Sequence, residues 1–329
     1  NPIKSEETIV KSVCYAPKSP VVTLVTQSTS NVTLNITLPE ASLGSLFEVK
    51  AIRRGMSHSV SLPSDGSRSV QYVFNETAEA GTCFSLEIVS LVINNPIKSE
   101  ETIVKSVCYA PKSPVVTLVT QSTSNVTLNI TLPEASLGSL FKVKDIRRGM
   151  SHSVSLPSDG SRSVQYVLNE TAEAGTCFSL EIVSLVIDNP IKSEETIVKS
   201  VCYAPKSPVV TLVTQSTSNV TLNITLPEAS LGSLFEVKAI RRGMSHSVSL
   251  PSDGSRSVQY VFNETAEAGT CFSLEIVSLV INNPIKSEET IVKSVCYAPK
   301  SPVVTLVTQS TSNVTLNITL PEASLGSLF

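Results

Sequence analysis

The chain repeats itself every 94 residues: Asn1-Pro2-Ile3-Lys4-Ser5-Glu6-Glu7 opens it and returns at Asn95, Asn189 and Asn283. The first and third copies are identical, the second departs at Lys142, Asp145, Leu168 and Asp188, and the fourth stops at Phe329, partway through its unit. A solenoid turn takes about 20–50 residues, so this period is too long for one. Each unit has instead the size of a small domain with its own core, and the 329 residues read as beads on a string.

Short runs rich in Val, Ile, Thr and Leu alternate with Pro, Gly and Ser, and no stretch of ten or more residues carries an apolar period of 3.6; strands are expected throughout. The net charge of −3, with Lys and Arg scattered, argues against nucleic acid or an anionic membrane surface as the main partner. The longest mostly apolar stretch, Phe84 to Ile93, is broken by Ser85, Glu87 and Ser90 and is too short to span a bilayer. No signal peptide or transmembrane segment is legible. Because the sequence begins and ends inside a repeat, the expectation is a longer parent chain, with any membrane attachment outside this segment.

Seven cysteines occupy two positions of the repeat: Cys14, Cys108, Cys202 and Cys296 at one, Cys83, Cys177 and Cys271 at the other. Pairing Cys83 with Cys108, Cys177 with Cys202 and Cys271 with Cys296 leaves Cys14, whose partner would lie in a preceding repeat. In an antiparallel hairpin opposed residue numbers have a constant sum; 83 plus 108 is 191, which centres the turn on Asn95-Pro96, a turn dipeptide. That register opposes Phe84 to Val107 and Ile88 to Ile103, but also Leu86 to Lys105, a poorer match. Free thiols or metal ligands are the competing reading, and one Cys pair and one His per repeat without C-x-x-C do not make a zinc site. The disulfides imply an oxidising compartment.

Cut in the frame 17–110, the unit offers seven strands: Val21–Thr26, Val32–Leu38, Leu46–Arg53, Ser57–Leu62, Ser69–Phe74, Phe84–Ile93 and Ile103–Tyr109, with Pro63-Ser64-Asp65-Gly66 as a hairpin turn between the fourth and fifth. Seven short strands suggest a β-sandwich. The expected organisation is the last strand of a preceding repeat at 1–16, whole repeats at 17–110, 111–204 and 205–298, and a partial repeat at 299–329.

Asn35-Ile36-Thr37-Leu38-Pro39 is similar to the second-strand W-x-x-P signature of fibronectin type III domains, with Ile36 in the Trp position, and Ala78-Glu79-Ala80-Gly81-Thr82-Cys83-Phe84 is similar to their L-x-P-G-T-x-Y segment. Every repeat thus resembles that family, which implies an all-β array of tandem sandwiches. Phe84 in the Tyr position would remove the hydroxyl that ties the corner before the sixth strand, leaving the disulfide as the restraint there. Within the family, the Cys pair and the Ala110-Pro111-Lys112-Ser113-Pro114 join most resemble the repeated ectodomains of receptor tyrosine phosphatases. An immunoglobulin or cadherin-like sandwich is the alternative; the Cys spacing is not the Cys–Trp–Cys pattern and the joins carry no acidic calcium motif.

The join Tyr109-Ala110-Pro111-Lys112-Ser113-Pro114 leaves little slack and carries two prolines, so an extended, semi-rigid rod is expected. Each full repeat holds three N-x-[ST] sequons, and the expected N-glycan acceptors are Asn31, Asn35, Asn75, Asn125, Asn129, Asn169, Asn219, Asn223, Asn263, Asn313 and Asn317. Along the second strand Val32, Leu34, Ile36 and Leu38 alternate with Asn31, Thr33, Asn35 and Thr37, which turns both asparagines away from the core. The same parity points Val70, Tyr72 and Phe74 inward and Asn75 outward. Two glycans four residues apart on one strand, about 13 Å, would cover much of that face and discourage strand pairing with neighbours.

Arg53-Arg54, recurring as Arg147-Arg148 and Arg241-Arg242, is the basic cluster of the repeat; it reads as a solvated strand end or as a weak polyanion or partner contact. His58, His152 and His246 recur without a Ser–His–Asp spacing, Glu6, Glu7, Glu76 and Glu79 read as surface charge, and no catalytic residue, metal site, cofactor or small-molecule substrate is expected. Three functions fit: a glycosylated extracellular spacer or adhesion ectodomain, a self-assembling extracellular fibre, and part of a phosphatase ectodomain whose enzyme lies elsewhere. Protein partners or self-association are implied by each. A fibre would bury outward apolar residues such as Val73, Val89 or Leu46 between chains and accommodate Lys142 and Asp145 there.

Overall fold

A computed structural model describes residues 14–322 except 41, 45, 53, 54, 56, 96, 170, 187, 241, 242 and 281. Glu6, Glu7, Arg53, Arg54, Pro96, Arg241, Arg242 and most of the segment expected to supply a leading strand lie outside the described residues. The described residues contain strands and no helix. In the first repeat the strands are β1 (Val21–Gln27), β2 (Val32–Thr37), β3 (Leu46–Ala51), β4 (Ser57–Ser61), β5 (Ser69–Phe74), β6 (Cys83–Leu91) and β7 (Thr102–Cys108). All seven expected strands are present, with ends moved by one or two residues; the same set recurs in the second and third repeats, and Val303–Gln309 pairs with Val314–Thr319 in the partial one.

Each full repeat holds two sheets, three strands in the order β1-β2-β5 and four in the order β4-β3-β6-β7. This is the strand order of a seven-stranded, fibronectin type III-like sandwich. The fourth strand decides against the constant-type immunoglobulin arrangement, where it would sit beside β5; here Phe47 pairs with Val60 and Val49 with His58, joining β4 to β3. Alternation along β2 places Val32, Leu34 and Ile36 at 0% exposure while Thr33, Asn35 and Thr37 stay half-buried on the other face. With Phe47, Val49, Phe74, Leu86, Ile88, Val107 and Tyr109 they form the first core, and the third repeat builds the same core from Val220, Leu222, Ile224, Phe235 and their neighbours. Each fully buried Leu, Ile or Phe contributes about 1.5–3 kcal/mol. Ile36, in the Trp position of the family signature, is one of them.

The β6–β7 pairing corrects the register expected from the cysteines. Cys83 does oppose Cys108 and Phe84 opposes Val107, but a bulge follows, so Leu86 meets Val104, Glu87 meets Ile103 and Ile88 meets Thr102. The extra residue lies around Lys105 and Ser106, with Ser106 in the left-handed region at φ 54°. The slip removes the poor Leu86–Lys105 match and points Val104 at the core instead. The expected Ile88–Ile103 pair is therefore absent.

By contacts the chain separates into two compact units, one of Asn1–Val116, Asn129–Val164 and Leu180–Val198, the other of Thr117–Leu128, Gln165–Ser179 and Lys199–Phe329. The first unit contains both sides of the join between the first and second repeats, and the second unit both sides of the next join.

Candidate interaction surfaces and repeat junctions

The sequons converge on one face. Asn35 lies on the outer side of the central strand of the three-stranded sheet, in register with Thr23 on β1 and Gln71 on β5. Val32 pairs with Phe74, so continuing the register by one residue sets Asn31 beside Asn75. Asn75 is exposed; Asn31 and Asn35 are half-buried. Asn31 closes the turn before β2, its side-chain carbonyl accepting from Ser28 Oγ at 2.9 Å and its N–H donating to the same oxygen at 3.1 Å. In the later repeats Asn129 and Asn223 each donate from Nδ2 to the sequon threonine hydroxyl, Thr131 or Thr225, at 3.3 Å. Asn169 and Asn263 are exposed like Asn75, Asn125 and Asn219 are half-buried like Asn31, and Asn313 and Asn317 are exposed.

The four-stranded sheet carries no sequon on its outer face but a lattice of ions. Lys98 binds the Glu48 carboxylate at 2.5 Å, and that hydrogen bond holds the Glu48 carboxyl below its usual range; Lys50 lies 3.9 Å from Glu87. Val89, in register with Glu48, is only 6% exposed, and its equivalents Val183 and Val277 are 4% and 5% exposed. This valine is therefore already covered and is not an outward contact. Val73, at 48% exposure, remains one, and Leu46 is half-buried. In the second repeat Lys142 replaces Glu48 and is exposed, and Lys192 pairs with Glu195 at 3.7 Å. Asp145 is 3% exposed, which removes it as a lateral contact. Its Oδ1 accepts from the backbone N–H groups of Arg147 and Arg148 at 2.9 and 3.4 Å, capping the turn after its strand.

The corner before β6 keeps a tyrosine hydroxyl despite Phe84. Tyr109, fully buried at the end of β7, donates to the Glu76 carbonyl at 2.9 Å, and Tyr297 does the same to Glu264 at 2.8 Å. Phe84 instead packs its edge against Tyr109, centroids 5.2 Å apart. Glu76 is not surface charge: its side chain is 6% exposed and lies 3.8 Å from His58 Nε2. Burial, then the neighbouring Glu76, raises the Tyr72 phenol above its usual value. Glu79 is exposed as expected.

The joins are tightly bonded. Ala110 donates to Ser28 O at 2.8 Å; Lys112 donates its N–H to Ser136 Oγ at 2.9 Å and accepts from Ser184 Oγ at 2.5 Å; Thr196 Oγ1 donates to Pro114 O at 2.7 Å. Backbone crosses from one repeat to the next: Leu137 donates to Ala80 O at 2.6 Å, and Ala80 donates to Ala135 O at 3.3 Å. Gly81, at φ 82°, is pressed so close that a Cβ on it would sit 2.0 Å from Leu137 O. From the other side Asn189 Nδ2 donates to Ser106 O and to Cys108 Sγ, both at 2.9 Å, and Ile191 and Val186 pack on Cys108 and Ala110. The next join repeats these contacts with Ala174, Leu231, Gly175, Asn283, Cys202, Ala204 and Ile285. Sequence reasoning found the prolines but not Gly81, Asn189 or Ser136, whose role depends on which loop lands beside them.

The expected disulfides are formed, with Cα separations of 4.0, 3.9 and 4.0 Å, and Cys14 is an exposed free thiol. Beside the first lies an open pocket of about 590 Å³ lined by Ala51, Ile52, Cys83, Phe84, Ile103 and Lys105; the third repeat has a counterpart of about 320 Å³ beside Cys271. Among the described residues no group of His, Cys, Asp or Glu is placed to hold a metal ion.

No family model and no curated protein matches the sequence. Solved structures do match: the FN1-FN3 domains of chicken CNTN1, at 13% identity over 85% of this chain and 99% of that one with a TM-score of 0.31, and a two fibronectin type-III domain segment from chicken tenascin, at 17% identity over 56% of this chain and 100% of that one with a TM-score of 0.35. Both are tandem fibronectin type III domains.

Proposed function

We propose that the chain is a non-catalytic extracellular structural or adhesive array, a glycosylated semi-rigid rod whose sandwich repeats, 17–110, 111–204 and 205–298, are spaced by fixed joins. The observation that carries this reading is the recurrence of the same backbone and side-chain contacts at two successive joins. A flexible tether needs none of them. Three disulfides support an oxidising compartment, and the gathering of sequons on one sheet face supports a coat that leaves the opposite sheet free for protein partners.

A second reading, a self-assembling fibre, draws on exposed apolar side chains that return at the repeat period: Val21, Leu24 and Val25, then Val115, Leu118 and Val119, then Val209, Leu212 and Val213. Equivalent surfaces at a fixed rise allow equivalent contacts between chains. The finer likeness to receptor tyrosine phosphatase ectodomains rests on the Cys pair and the proline join alone. Light scattering on a size-exclusion column in non-reducing buffer, across a dilution series, tests the choice. One constant mass equal to a single glycosylated chain is the expected result for the rod; an open-ended distribution that survives dilution replaces it with the fibre.

A further inference from the structure

We infer that the disulfides Cys83–Cys108 and Cys177–Cys202 are also docking faces for the following repeat, and that the bond between Cys83 and Cys108 is a site at which a dithiol reductant uncouples two repeats without unfolding either. Its two sulfurs sit in different surroundings. Cys83 is exposed and lines the open pocket with Lys105, whereas Cys108 is 0% exposed, inside the cluster made with Ala110, Ile191 and Val186. An attacking thiolate therefore reaches Cys83 Sγ and expels Cys108.

The leaving sulfur already accepts a hydrogen bond from Asn189 Nδ2 of the next repeat at 2.9 Å, which stabilises the departing thiolate. The reductant forms a mixed disulfide with Cys83, and its second thiol then displaces Cys83. Two electrons and two protons pass to the protein, leaving two cysteine thiols and the oxidised, cyclised reductant. Once the bond is broken the Cys108 side chain is free to rotate, and the surface under Ile191 and the acceptor for Asn189 lose their fixed position. The seven-strand core does not contain Cys83 or Cys108, so the sandwich retains its packing.

The three bonds are not equivalent. Cys271 is exposed and beside a pocket like Cys83, but Cys177 is half-buried and packs on the cluster of Cys202, Ala204 and Ile285. Access controls exchange rates, so the second repeat's bond is the last to be reduced. The sequence supplies the label: trypsin releases Cys83 and Cys271 in one common peptide, 69–98 and 257–286, while Cys177 lies in 163–192, distinguished by Leu168 and Asp188.

The test uses the Cys14→Ser chain, to remove the free thiol, titrated with dithiothreitol, quenched by alkylation, deglycosylated and digested. The common peptide should be labelled before 163–192. Hydrogen exchange in a peptide spanning Leu137 and Lys142 should rise in step with it, while the far-ultraviolet circular dichroism of the strands is retained. Equal labelling of the two peptides, unchanged exchange at Leu137, or loss of the strand signal with the first label each overturns the inference.

Discussion

Tyr109 shows how one hydroxyl is supplied from an unexpected strand. The family signature places it at the position of Phe84, one residue into β6; here it comes from the end of β7 and reaches the same loop, at the Glu76 carbonyl. Phe84 and Tyr109 lie edge to face, with Phe74 5.0 Å from Phe84, so the exchange keeps both the aromatic contact and the hydrogen bond. Replacing Tyr109 with Phe keeps the ring and removes only the bond, leaving the Glu76 carbonyl without that donor. The expected loss is about 0.5–1.5 kcal/mol for the first repeat, read as a lower denaturant midpoint with an unchanged slope.

At the scale of the element, the second repeat shows what its strands tolerate. Asp188 takes the left-handed position, φ 58°, that Asn94 and Asn282 fill in the other repeats, and Asp and Asn are the non-glycine residues best suited to it. Asp145 replaces a buried alanine and is kept by the turn it caps. Lys142 takes from Lys192 the acceptor that Lys98 finds in Glu48. Leu168 is the substitution with a packing cost: Phe74 and Phe262 each pair with a second phenylalanine at 5.0 and 4.9 Å, and Leu168 removes the first ring of that pair from the second repeat, where Phe178 lies 5.2 Å from Tyr203. Leu168→Phe should restore the missing pair and stabilise that repeat by about 0.5–1.5 kcal/mol, seen in calorimetry as convergence of its unfolding transition with those of its neighbours.

Across the whole molecule the decisive residues sit between repeats. Gly81 and Gly175 combine a left-handed backbone with an approach to Leu137 and Leu231 that leaves no room for a methyl group. Gly81→Ala should therefore break the Ala80–Leu137 hydrogen bond and loosen the first join while leaving the second intact; Gly175→Ala should do the converse. The measurement is small-angle scattering of each variant and of the double substitution. A broadened distance distribution is expected for either single change, more so for both, with strand content preserved.

The sequence by itself determined the repeat, the strands and their inward faces, because alternation with period two is written residue by residue and each proline or glycine turn marks a boundary locally. It also determined the disulfide partners, since identical copies leave few ways to pair two positions. Only the tertiary structure decided the bulge at Ser106, the tyrosine that replaces the missing hydroxyl, the burial of Val89 and Glu76, and the contacts that fix one repeat on the next. Those depend on side chains separated by tens of residues that meet only after the sheets have packed, so no local pattern encodes them. Asn189 reads as an ordinary turn residue until the fold carries it to Cys108.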